Sequence, residues 1–123
     1  MEPAALLVVA VDHPSLDRAL ADFLAELRDE LDAGGRTPSR RPSAALIDRL
    51  AAGRTMRLGV MAGPRLVAVA AVDNDGAVAI AVARDHRRRG IANDLMEVVN
   101  ARAAAIGYPP LHRYSVPRTR LAG

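Results

Sequence analysis

Apolar positions along the chain follow two rhythms: short unbroken runs, and longer stretches in which they recur every three or four residues. Residues 6–11 form a continuous valine-rich run, short enough for a buried strand. Asp12, His13, Pro14 and Ser15 then supply N-cap and first-turn residues. Leu16, Leu20, Phe23, Leu24, Leu27 and Leu31 fall on one face of the helix that follows, with Asp17, Asp22, Glu26, Asp29 and Glu30 elsewhere around it. Gly34 and Gly35 close that helix. Residues 36–42, with two prolines, read as a loop, and Ser43 as the cap of a short helix ending at Gly53.

Three strand-like runs come next, residues 56–61, 66–72 and 77–83, separated by turns at 62–65 and 73–76. Tight turns between successive strands make an antiparallel meander. From Ile91 the helical rhythm returns, with apolar residues at 91, 95, 98, 99 and 106, until Gly107, Pro109 and Pro110 stop it. Residues 111–116 complete the pattern as a last strand. Strand, helix, helix, three strands, helix, strand is an α+β order with a mostly antiparallel central sheet flanked by helices. At 123 residues the chain is expected to be one domain, residues 1–123.

Composition narrows the chemistry. The chain has no cysteine, which excludes disulfides and thiolate zinc sites and fits a reducing cytoplasm. His13, His86 and His112 have no metal-ligand spacing, so no metal is expected. The apolar stretch near the amino terminus is too short to span a bilayer, and a soluble, cytoplasmic protein is expected. One phenylalanine, two tyrosines and no tryptophan leave little to stack on bases, which argues against specific nucleic-acid binding.

Charge is uneven. Residues 1–32 hold eight acids and two arginines, net −6, and residues 33–123 hold fifteen arginines and six acids, net +9. Every basic residue is arginine, whose fixed fork of donors suits phosphate oxygens.

The densest basic stretch, Arg84-Asp85-His86-Arg87-Arg88-Arg89-Gly90, sits between the third run and the last helix. A helix start presents unpaired N–H groups and the positive end of the helix dipole, so it holds an anion without special side chains. Gly90 admits close backbone approach, small Ala92 keeps the next turn open, and the arginines add charge-assisted hydrogen bonds. A P-loop and a dinucleotide-binding fingerprint are both excluded, since neither G-x-x-x-x-G-K-[ST] nor G-x-G-x-x-G is present. A solvated basic loop or a nonspecific nucleic-acid contact is the competing reading of the arginines alone.

VARDHRRRGIA, residues 82–92, resembles the acetyl-coenzyme A motif of the GNAT N-acetyltransferase superfamily, [Q/R]-x-x-G-x-[G/A] between the fourth strand and the third helix. The order of elements is similar to that family over essentially the whole chain. The resemblance implies a GNAT-like fold and acetyl transfer from acetyl-CoA to a primary amine by direct attack on the thioester. It puts the main chain of Ile80, Ala81 and Val82 against the pantetheine arm. Arg87, Arg88, Arg89, Gly90, Ile91, Ala92 and Asn93 would wrap the pyrophosphate with backbone N–H groups.

The sequence departs from that family in two respects. The glutamate that some members carry on the fourth strand has no counterpart in residues 77–83, and the tyrosine of a later fourth helix is matched by nothing; Tyr114 lies on the preceding strand. The catalytic residues are therefore unassigned, and a coenzyme A-binding module with weak or no catalysis is the alternative. For a small-molecule or peptide amine as acceptor, Asp22, Glu26, Asp29 and Glu30 are the candidate wall, because the family uses its first helix to shape that site. The same acids also read as a solvated helix face. An uncovered last strand at residues 111–116 leads to the expectation of a homodimer.

Overall fold

Five strands and three helices follow the order expected from the sequence, in a computed structural model that describes residues 6–33, 43–52 and 56–114. Strand β1 (Leu6–Ala10) leads through a short 3-10 turn at Pro14–Leu16 into helix α1 (Asp17–Asp32). His13 caps that turn, its ring nitrogen accepting from the Ser15 N–H. The apolar face of α1 buries Phe23, Leu24 and Leu27. Helix α2 (Ala44–Ala52) begins where its serine places it, the Ser43 hydroxyl accepting from the Leu46 N–H at 3.0 Å. Gly34, Gly35, the 36–42 loop, Gly53 and positions 115–116 of the expected last strand lie outside the described residues.

Strands β2 (Met56–Ala62), β3 (Arg65–Val72) and β4 (Ala77–Val82) form the meander. The sheet order is β1-β2-β3-β4-β5, antiparallel from β1 through β4. Asp73 opens the β3–β4 turn, its carbonyl accepting from the Gly76 N–H and the Asp75 carboxylate from the Ala77 N–H. Gly76 takes the left-handed φ of 85° that such a turn requires.

Helix α3 (Ile91–Ala105) covers β2, β3 and β4 with Ile91, Leu95, Val99 and Ala103, while α1 and α2 pack on each other and on β3 and β4. β3 is buried along almost its whole length and carries alanine at 68, 70 and 71, so helices approach the sheet closely. At Gly59 in β2 an added Cβ would lie 2.6 Å from a Leu66 methyl and 2.7 Å from a Val11 methyl, both in the core. Arg57 staples the β1 end of the sheet to α2, donating to Asp12 and to the carbonyls of Leu50 and Ala51.

Among the described residues strand β5 is His112–Arg113, and it pairs with β4 in parallel. The register joins Ala77 to His112 and Val78 to Arg113.

Candidate functional site

The parity of the β3–β4 ladder decides which main-chain groups of β4 face outward. Asp73 donates to Ala77 and Ala83 donates to Val67, so Ala77, Ala79, Ala81 and Ala83 spend their groups on β3. Val78, Ile80 and Val82 turn theirs the other way. Tyr114, the last described residue, donates to the Val78 carbonyl at 2.8 Å. Among the described residues the N–H and C=O of Ile80 and the N–H of Val82 have no partner. Among the described residues this edge forms a wedge that an extended ligand can enter as a further strand would. Of the three residues expected there, Ile80 and Val82 offer polar groups to it, and Ala81 faces β3.

The wedge runs toward the arginine-glycine loop. After β4 the chain makes a 3-10 turn at Arg84–His86, and Gly90 with φ 77° starts α3. Gly90 has no side chain within reach of an added Cβ, so its dihedral angle and not lack of space calls for glycine. Arg88 adopts a left-handed φ of 66°, a conformation that costs a non-glycine residue about 1 kcal/mol or more and collects at functional loops. The first intrahelical bond of α3 runs from the Asp94 N–H to the Gly90 carbonyl. The N–H groups of Gly90, Ile91, Ala92 and Asn93 therefore remain without an acceptor among the described residues.

Side chains sort this loop into two kinds of arginine. Arg84, Arg88 and Arg89 are exposed and have no ion-pair partner among the described residues. Arg87 is engaged. Its Nε donates to the Val82 carbonyl at 2.9 Å, and its two terminal nitrogens meet the two Glu30 oxygens at 2.5 and 2.7 Å. Ile91 is buried under the helix, Ala92 is half-buried and Asn93 is exposed. With four main-chain donors, three free guanidinium groups and an adjoining open strand edge, the residues present fit a pyrophosphate followed by an amide-bearing arm.

The acidic wall is partly consumed. Glu26 is bound by Arg65 and Glu30 by Arg87, which leaves Asp22 and Asp29 without described partners. Glu26, Asp29 and Glu30, with Phe23, Leu27 and Arg84, line a cleft of about 340 Å³ between α1 and the end of β4. Arg65 also holds Asp85, and Arg65 first, then His86, keeps the Asp85 carboxyl well below the usual carboxylate range by hydrogen bonding. No group of three or more His, Cys, Asp or Glu suited to a metal ion occurs among the described residues.

Tyr114 stands where the wedge opens. Its ring lies under the Arg49 guanidinium, 4.1 Å from Cζ to centroid, and Arg49 is itself tied to Asp73. His112 sits at the other end of β4, donating its N–H to the Gly76 carbonyl. Sequence reasoning missed Glu30 as a partner of Arg87, and Arg65 and Arg49 altogether. No spacing rule links residues 57 positions apart.

No protein-family model and no curated protein matches the sequence. Solved structures do match the fold. A ribosomal-protein-alanine N-acetyltransferase from Brucella melitensis biovar Abortus 2308 aligns over 94% of this chain and 82% of its own, at 23% identity and a TM-score of 0.60. A GNAT family acetyltransferase from Brucella melitensis, in complex with acetyl-CoA, covers 86% of this chain and 73% of its own at 13% identity and a TM-score of 0.57. A predicted acetyltransferase with acetyl-CoA from Clostridium acetobutylicum covers 90% and 81% at 12% identity and a TM-score of 0.54. At these identities the likeness establishes the architecture, an α+β GNAT fold. Among the described residues no helix is long and apolar enough to cross a membrane.

Proposed function

We propose that this chain, as a single domain, is an acetyl-CoA-dependent N-acetyltransferase that moves an acetyl group to a primary amine by direct attack on the thioester. The observation that carries the reading is the succession of two features: a β4 edge whose Ile80 and Val82 groups lack partners among the described residues, and an anion cradle at Gly90 to Asn93 in the loop and helix that follow β4. Neither feature alone selects a ligand. Together they match a molecule with a pyrophosphate at one end and an extended amide chain at the other. Two solved structures with this fold contain acetyl-CoA, which supports it as the co-substrate.

Bound in this way, acetyl-CoA supplies an activated acyl group. What the chain contributes is position. The N–H groups of Ile80 and Val82 are the free donors for a carbonyl oxygen that gains negative charge, as in an oxyanion hole. The acceptor amine needs only to lose its proton and be held within reach, because a free amine is already a competent nucleophile. β4 itself carries no ionisable side chain, so no strand carboxylate takes that proton. Activity rises with pH as more of the amine is deprotonated. A small-molecule or peptide amine approaching from the cleft beside α1 fits this geometry, in a cytoplasmic protein without a specific nucleic-acid partner.

The absence of an acid from β4, and a Tyr114 ring stacked under Arg49, favour a second reading, a coenzyme A-binding module with little or no catalysis. Titration calorimetry with coenzyme A, followed by thiol release from acetyl-CoA across a panel of amines, separates the two. Binding with acetyl transfer supports the enzyme, binding without transfer the module, and no binding overturns both. A homodimer formed through residues 111–116 is part of the proposal, and a monomeric mass by light scattering at micromolar and higher concentration rejects it.

A further inference from the structure

The Arg87 guanidinium makes contacts that a phosphate ligand would have to give up. Its Nε holds the last outward-facing carbonyl of β4, at Val82, while both terminal nitrogens form a two-pronged pair with Glu30 near the end of α1. Arg87 is 28% and Glu30 15% exposed. A bidentate pair of this geometry, partly withdrawn from water, is far more persistent than a surface ion pair. Arg84, Arg88 and Arg89, by contrast, are exposed and available. One residue thus ties three elements together: the open strand edge, the loop that carries the main-chain donors, and the helix that lines the cleft.

On the reading above, one ligand must satisfy both the edge and the cradle at once, so the distance between them matters as much as either. We infer that Arg87 is a positioning residue and not a phosphate ligand: clamped by Glu30 and Val82, it fixes the cradle relative to the β4 edge, and Glu30 influences cofactor binding only through it. The inference rests on the coenzyme A assignment. It adds to that assignment a carboxylate on α1 which makes no contact with the ligand.

The test uses full-length protein and two probes, coenzyme A, which spans edge and cradle, and ADP, which reaches the cradle alone. Arg87→Gln and Glu30→Gln each weaken coenzyme A binding by about tenfold, the double variant is no worse than the weaker single one, and ADP affinity changes by less than about twofold in all three. Non-additivity marks a shared mechanism, and the split between probes would not arise from a general loss of stability. A phosphate-ligand role predicts the opposite: Arg87→Gln loses both probes, and Glu30→Gln leaves binding unchanged or tightens it by freeing Arg87. Either of those results overturns the inference.

Failure of the wild type to bind coenzyme A would overturn the functional reading instead. The strut is then judged on the free protein by hydrogen exchange at the Asp94 amide, whose bond to the Gly90 carbonyl is the first of α3. Glu30→Gln and Arg87→Gln speed exchange there equally if Arg87 holds the loop. Unchanged exchange in either variant rejects the strut.

Discussion

The Tyr114 N–H, one residue past β5, donates to the Val78 carbonyl of β4 at 2.8 Å, the last such rung among the described residues. Among the described residues the Ile80 N–H and C=O and the Val82 N–H have no partner beyond it, while Arg87 holds the Val82 carbonyl. The Tyr114 ring is fastened by Arg49 and through it to Asp73.

Tyr114 separates a structural role from a catalytic one. Tyr114→Ala, which removes the ring from beneath Arg49 and from the core edge, is expected to cost about 2 kcal/mol in chemical denaturation. Tyr114→Phe keeps the ring and is expected to leave turnover nearly unchanged. Loss of a general acid is worth roughly 10² to 10⁴ in rate. A hundredfold fall in Tyr114→Phe with normal coenzyme A binding would assign the proton donor to this hydroxyl and end the account of an unassisted reaction.

Gly90 is needed for its dihedral angle. Gly90→Ala meets no neighbour, so its stability cost is limited to the left-handed backbone, about 1–2 kcal/mol. Gly90→Asp adds a negative charge beside the main-chain donors of α3 and is expected to abolish measurable coenzyme A binding by calorimetry. Equal affinity in wild type and Gly90→Asp would move the anion site elsewhere.

Gly59 is needed for its lack of volume. A methyl group there would press on Leu66 and Val11, both essentially inaccessible to solvent, and overpacking of this kind costs about 1–3 kcal/mol. Gly59→Ala is expected to lower the melting temperature and leave the affinity of the surviving folded protein for coenzyme A intact. An unchanged melting temperature would show that the sheet yields at this point.

Asp85 gives a pH signature. Its carboxyl is depressed by hydrogen bonds from Arg65 and then from His86. A depressed carboxylate stabilises the fold at pH values above its unfolded pKa of about 3.9, and that contribution is lost as pH falls through the folded value. Wild type is therefore expected to exceed Asp85→Asn in melting temperature at pH 6, by a small margin because the side chain is 60% exposed, and to converge with it in strong acid. A difference that persisted or grew on acidification would have the wrong sign.

The meander was legible because β3 and β4 are covered on both faces, which makes unbroken apolar runs such as Leu66 to Val72 unmistakable. Helix α1 was legible from the stripe that buries Phe23, Leu24 and Leu27. The start of α3 could be placed because a glycine before a helix is a local signal. The parallel pairing of His112 and Arg113 with β4 was not legible, because pairing direction is a relation between segments and not a property of either. Arg87 resembled its neighbours Arg88 and Arg89 in sequence, and only the approach of Glu30 from α1 sets it apart. Two of the four candidate acids were already engaged for the same reason.

The free cations around the cradle, Arg84, Arg88 and Arg89, are all guanidinium groups in a chain without a single lysine. A guanidinium keeps its proton throughout the working pH range and does not attack a thioester. On the proposed function, a store of activated acetyl groups held against this loop would meet no lysine amine on the protein that carries it. Lysine would have supplied the same charge and a target for the reagent. The proposed chemistry would find no lysine in this chain, and its internal peptides are expected to keep their mass after long incubation with acetyl-CoA.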